Sequence, residues 1–259
     1  MNSLILNDYN PSGLLWLTAA LIIVGVLLII ATISAIITRI TICLKYNNFN
    51  KISTAKGHTA FSAARTLLDE NGMSDVKVEQ LGFFRALFYG NCYSKKNKTI
   101  YLRKEIINQT SITAVGIACQ KVGLVIQDKE KNKTFKIRAF IAPFILFTPF
   151  WVVPLSVLGI IFDIMFSLGG AISIISIIFS TIIYLLSVIY AVVTIPVESR
   201  ANKLALELME KTNILNKKER SLIKELFSMF MIAYIIEFII SLLQVIKIIF
   251  EIILKVKSN

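Results

Sequence analysis

Histidine is almost missing from this chain: His58 is the only one in 259 residues. Catalytic zinc sites take three protein ligands and draw them chiefly from histidine, so a His2Glu set cannot be assembled here. Cysteine is scarce as well. Cys43, Cys92 and Cys119 are odd in number and never spaced C-x-x-C, which excludes a disulfide framework and a zinc ribbon; they read as reduced thiols. With 11 Gly and 5 Pro the chain is not collagen-like. Charge is the other shortage. Asp, Glu, Lys and Arg make up 17% of residues, against roughly 25% in a soluble domain, while 56% are hydrophobic and the mean hydropathy is +0.72. An ordinary water-soluble domain and a disordered chain are both excluded.

The apolar residues are grouped. The first run, Leu14 to Ile37, carries no charge until Arg39 and has only Asp8 before it, so it reads as a retained transmembrane helix rather than a signal peptide. Lys and Arg follow it but do not precede it, which puts the N-terminus outside and the next segment in the cytoplasm. From Ala139 to Val197 there is no Lys or Arg, and Asp163 is the only acid. That stretch holds two spans of about 20 residues each, at 139–163 and 168–194. Pro143, Pro149 and Pro154 predict a kink in the first, Ser167-Leu168-Gly169-Gly170 is the turn between them, and Asp163 is expected at the outer surface. A last run starts at Phe227; it either spans or lies partly in the interface, since Gln244, Lys247, Glu251 and Lys255 follow at helical spacing. The net charge of +12 comes from 28 basic residues concentrated between Arg39 and Arg138 and between Arg200 and Lys224. In a membrane chain this means cytoplasmic retention and attraction to anionic headgroups. No base-reading or aromatic RNA motif is present, so nucleic acid is not expected as a partner.

The expected fold is mainly α. It is an integral membrane protein with about four hydrophobic helices and a small cytoplasmic α+β domain. The segments are an N-terminal transmembrane helix (1–43), the α+β domain (44–136), a transmembrane pair (137–196), an amphipathic helical segment (197–225) with a break near Asn213 to Asn216, and a C-terminal hydrophobic helix (226–259). Within the polar domain, Thr59 to Gly72 predicts a helix with Thr59 as N-cap and Asn71-Gly72 as left-handed stop. Val76 to Glu79 alternates like a strand, and Ser94 to Lys98 turns into a second strand, Thr99 to Leu102. A helix from about Ser111 to Gln127 is apolar over most of its surface, so it belongs in a core or against lipid. His58 reads as an exposed residue at a helix start.

Several of these pieces resemble one family. Leu68-Asp-Glu-Asn-Gly72 with Asp75-Val-Lys-Val-Glu79, then Lys98-Thr-Ile-Tyr-Leu102, Val122-Gly-Leu-Val-Ile-Gln127, Ile195-Pro-Val-Glu198 and Ala205-Leu-Glu-Leu208 follow one another as they do in the bacterial membrane-embedded neutral zinc metallopeptidases, relatives of the gluzincins. The likeness covers roughly residues 55 to 250. The resemblance implies a peptidase fold whose zinc is held by His-Glu-x-x-His on one helix and a Glu from a later helix, with the motif Glu as general base. In this chain the matching stretch is Gln120-Lys-Val-Gly-Leu124. Gln120 and Leu124 stand at the two histidine positions, Lys121 at the base position, and Glu198 at the retained third-ligand position. A second block, Asn91-Cys-Tyr-Ser-Lys95, keeps only Tyr93 of an Asp-His-Tyr-Asp-Pro pattern, and Arg200 stands where the family tends to carry an acid.

The resemblance therefore implies a degenerate member: no catalytic residue, no metal ligand set, no zinc although the family expects it, and a membrane binding, scaffold or regulatory role with the bilayer and an unknown membrane protein or peptide as partners. An active metallopeptidase with a rearranged site, for instance Cys92, Cys119 and Glu198, is the alternative, and a small transport component is a third reading. Two readings of Lys121 stand. It pairs with Glu198 and replaces the metal's charge, because an uncompensated buried carboxylate is costly; or it snorkels to water while Glu198 pairs with Arg200 or Lys203. Glu237 lies inside the last apolar run. An ionisable group at membrane depth is a functional candidate, but it equally belongs to a bundle-facing stripe with Ser241, Gln244 and Glu251, or faces water if the segment lies in the interface.

Overall fold

The computed structural model describes residues 11–83, 86, 89–146, 157–159, 161–166 and 171–258. Asp8, Pro149, Pro154 and the Ser167 to Gly170 turn lie outside the described residues. Among these residues seven helices, α1 (Pro11–Asn50), α2 (Ala60–Glu70), α3 (Lys104–Ile107), α4 (Ile112–Lys129), α5 (Lys133–Leu146), α6 (Ala171–Lys211) and α7 (Lys217–Ser258), accompany three strands, β1 (Lys77–Gln80), β2 (Cys92–Ser94) and β3 (Thr99–Leu102). A shorter apolar helical segment runs over Val157–Phe166. Of the described residues, 78% are helical.

Among the described residues three helices are long and apolar enough to cross a membrane: α1, α6 and α7, over Leu15–Asn50, Ile174–Lys211 and Lys217–Leu254. In α1 and α6 only 6% of the most apolar window is buried by protein, and in α7 only 11%. Apolar surface on that scale needs lipid around it, so the chain is a membrane protein. A fourth helix expected at 139–163 is not among the described spans. Its first part belongs to α5, which runs through Pro143, and its last to Val157–Phe166. The expected division at 196/197 falls inside one helix, because α6 continues unbroken through Pro196 for 41 residues. The expected break near Asn213 to Asn216 is present, with Asn213 at φ 53. There α7 is capped by a reciprocal box in which Glu219 N donates to Asn216 Oδ1 (2.9 Å) and Asn216 N donates to Glu219 Oε2 (2.8 Å).

Contacts divide the chain into two units, one of Met1–Ile36, Pro149–Val188 and Ile236–Asn259, the other of Ile37–Thr148 and Ile189–Ile235. The first is apolar helix; its Asp163 Oδ1 accepts from Ile172 N at 3.1 Å. The second holds the sheet, of order β1-β3-β2, with β1 parallel and β2 antiparallel to β3. Its α2 forms for the reasons its sequence suggests. Ser62 N donates to Thr59 Oγ1 at the N-terminus, and Gly72 at φ 63 ends the helix with Met73 N donating to Leu68 O. α4 starts at Ser111, whose hydroxyl accepts from Ala114 N. Every residue of α4 from Ile112 to Val125 is buried, so this is a core helix, packed with Leu67, Leu68, Ile100, Leu102, Met209 and Ile223 in one cluster. Burying each such side chain stabilises the unit by roughly 1.5–3 kcal/mol. β2 has no counterpart among the sequence expectations; its residues are half-buried throughout.

Candidate active site

The site is built where α4 crosses α6 within the second unit. At Gly123 the two backbones touch: a Cβ there would lie 2.5 Å from the Ala201 carbonyl oxygen and 2.9 Å from Ala201 Cα. Gln127, one turn on, donates from Nε2 to Val197 O at 3.0 Å. This close crossing brings Gln120 and Leu124 on α4 against Val197, Glu198, Ala201 and Asn202 on α6.

Around Gln120 the contact is polar. Its Nε2 donates to Glu198 Oε2 (2.9 Å) and to Asn202 Oδ1 (2.7 Å), and its Oε1 accepts from Lys121 Nζ (3.0 Å). Glu198 is 1% exposed, and its other oxygen, Oε1, accepts from the Arg138 guanidinium of α5. The Tyr190 side chain lies beside Arg138. The direct partner of Glu198 is thus Arg138 rather than Lys121, because the lysine, one residue along the helix, is turned by about 100° and reaches the Gln120 amide instead. Lys121 does not snorkel either; it is 9% exposed. Burial pushes its pKa below the usual lysine range, with Glu198 pulling the other way. Arg200 and Lys203 are engaged elsewhere, Arg200 with Glu130 at 2.6 Å and Lys203 with Glu207 at 3.9 Å.

Around Leu124 the contact is hydrocarbon. Leu124, Phe135, Val197 and Ala201 form one buried cluster, with Tyr93 and Ala139 packed on it. The Tyr93 ring stacks on Phe135, its hydroxyl donates to Asp128 Oδ2 at 3.0 Å, and Lys95 pairs with Asp128 at 2.9 Å. Burial, then the Asp128 carboxylate, raise the Tyr93 pKa.

The remaining candidates lie apart from one another. Among the described residues no group of three His, Cys, Asp or Glu side chains is placed to hold a metal ion, so Cys92, Cys119 and Glu198 do not form one. Cys119 is fully buried in the hydrophobic core, and burial pushes its thiol pKa up, keeping it protonated. Cys92 is half-buried on β2. His58 is half-buried and its carbonyl accepts from Thr54 Oγ1. Glu237 has an exposed side chain on α7, and its carbonyl accepts from Ser241 Oγ. Sequence reasoning missed Arg138 and Asn202. Two signals existed: Arg138 is the last cation before the stretch without Lys or Arg, and Asn202 follows Glu198 by four residues, on the same helix face.

A family model described as "Putative neutral zinc metallopeptidase" matches residues 23–253. The chain is 24% identical over 202 residues to "Putative membrane protease YugP" of Bacillus subtilis (strain 168), an alignment covering 78% of this chain and 84% of that protein. No solved structure matches significantly.

Proposed function

The chain belongs to the neutral zinc metallopeptidase family, and from that premise we propose that it is a non-hydrolytic member, a membrane-bound pseudopeptidase that binds rather than cleaves. One observation carries this reading. Both oxygens of Glu198, at the third-ligand position, are already taken, one by Arg138 and the other by the Gln120 amide.

The residues present do not fit zinc. Zinc prefers imidazole, thiolate and carboxylate. The first ligand position offers a carboxamide whose NH2 faces the carboxylate. The second offers an isobutyl group packed among Phe135, Val197 and Ala201. Arg138 already pairs with the one carboxylate, so a dication there would compete with a guanidinium for it. The base position is a lysine hydrogen-bonded to its neighbour, which leaves no carboxylate to take a proton from water. No hydrolytic step is derived for this site.

In this reading the second unit lies in the cytoplasm, the chain crosses the bilayer several times with its N-terminus outside, and its partner is a membrane protein or peptide. The distribution of Lys and Arg supports the orientation. The test is metal analysis and peptidase assay of the full-length protein in mild detergent, beside a Gln120→His/Lys121→Glu/Leu124→His variant. The native chain is expected to hold well under one zinc per chain and to leave peptides intact. A stoichiometric transition metal, or metal-dependent hydrolysis abolished by Glu198→Gln, overturns the reading.

A further inference from the structure

A second feature of this unit stands independently of whether the family site binds zinc. Between the C-terminal half of α6 and the N-terminal half of α7 there is an open cavity of about 360 Å³, within the range of small-molecule pockets. Its charged lining residues are Lys203, Arg220 and Lys224 with a single acid, Glu207; its apolar ones are Leu206, Phe227 and Met231.

Three observations say what fits it. The cations are under-neutralised. Lys224 has no carboxylate within salt-bridge distance among the described residues, Lys203 meets Glu207 only at 3.9 Å, and Arg220, held by Glu210 at 2.9 Å, keeps a buried Nε with no partner. The cavity also lies where charge gives way to hydrocarbon on both helices. α6 is free of Lys and Arg until Arg200, and α7 carries no Lys or Arg from Phe227 until Lys247. Lys224 is one helical turn from Phe227, about 4.5 Å along the axis. Basic residues at that boundary meet anionic headgroups, and the apolar residues beside them meet acyl chain. Lastly, the lining combines three cations with Leu206, Phe227 and Met231, which matches an amphiphile and is a poor match for a small free anion.

We propose that this cavity is a binding site for an anionic phospholipid, its phosphodiester held by Lys203, Arg220 and Lys224 and the start of its acyl chain laid against Leu206, Phe227 and Met231. Asn202 lines the same cavity and accepts from Gln120 in the buried cluster, so an occupied cavity has a direct neighbour in the family site.

The experiment uses the full-length protein in detergent with short-chain phosphatidylglycerol, short-chain phosphatidylcholine, inorganic phosphate or an acidic peptide, read by native mass spectrometry and by thermal shift. Phosphatidylglycerol is expected to bind one per chain, at least tenfold tighter than phosphatidylcholine. Lys203→Gln/Lys224→Gln is expected to lose at least tenfold, while Lys217→Gln/Lys218→Gln, which removes the same charge outside the cavity, loses less than twofold. A melting temperature unchanged without lipid verifies that both variants fold. Equal binding of the two lipids, equal losses in the two variants, or displacement of phosphatidylglycerol by phosphate or by the acidic peptide at matched concentration overturns the proposal, the last two by naming a free anion or a peptide as occupant.

Discussion

Positions 120 and 124 lie one turn apart on the same face of α4, yet their surroundings are opposite. Gln120 sits in a polar knot with Glu198, Asn202 and Lys121, and Leu124 in a hydrocarbon cluster with Phe135, Val197 and Ala201. The family pattern would place the same side chain at both. The difference shows how a buried carboxylate shapes its neighbourhood. Next to Glu198 a position must supply a donor, because an unpaired buried charge is expensive. One turn further along, where α6 approaches at Gly123 to backbone contact, the neighbours are Phe135, Val197 and Ala201, and a leucine packs among them.

The largest test of this contrast is Glu198→Ala, which leaves the Arg138 and Lys121 charges uncompensated in the interior. It is expected to cost about 3–5 kcal/mol, measured by denaturant unfolding in detergent. A loss below about 1 kcal/mol means that the knot is wet and the carboxylate does not hold it. Next comes the apolar side. Leu124→Ala removes buried hydrocarbon at one of the least accommodating points of the crossing and is expected to cost about 3 kcal/mol. If it instead proves neutral, the cluster around Phe135 collapses freely. Gly123→Ala tests the crossing itself. The added methyl meets backbone rather than a flexible side chain, so about 2 kcal/mol is expected from overpacking, and spectra of the knot should change along with it. Stability unaltered by the methyl would show that the helices slide apart at no cost.

The smallest effect is in pH dependence. Burial holds the Lys121 pKa below its unfolded value. Between the two values the unfolded chain carries the proton and the folded chain does not, so stability rises with pH through that interval and levels off near the unfolded pKa of about 10.4. Lys121→Met should flatten this rise. Parallel stability curves for the two proteins would mean that Lys121 is solvated.

Much of the second unit was legible from local chemistry. Thr59 and Asn71-Gly72 bound α2 as expected; β1 and β3 appear within a residue of their predicted places; and α4 is the core helix its nearly uniform apolarity implies. These features depend on neighbours three or four residues away, so the sequence displays them. β2 did not show, since its three half-buried residues carry no alternation. The sequence places a boundary at 196/197, between Pro196 and the onset of charge at Glu198. In the structure neither interrupts the helix.

What the residues alone determined is chemical inventory and hydropathy: one imidazole, an amide and an isobutyl group where histidines would stand, and apolar runs long enough to require lipid. What only the tertiary structure decided is pairing. That Arg138 rather than Lys121 meets Glu198, and that Gln120 joins Asn202 there, depends on how α4 and α5 pack against α6, whose bonded residues lie 60 or more positions further along the chain, with α4 and α6 in backbone contact at Gly123 and Ala201. Coulomb attraction and hydrogen bonding act over a few ångströms of space, and no spacing along the sequence records which distant groups the packing brings within that reach.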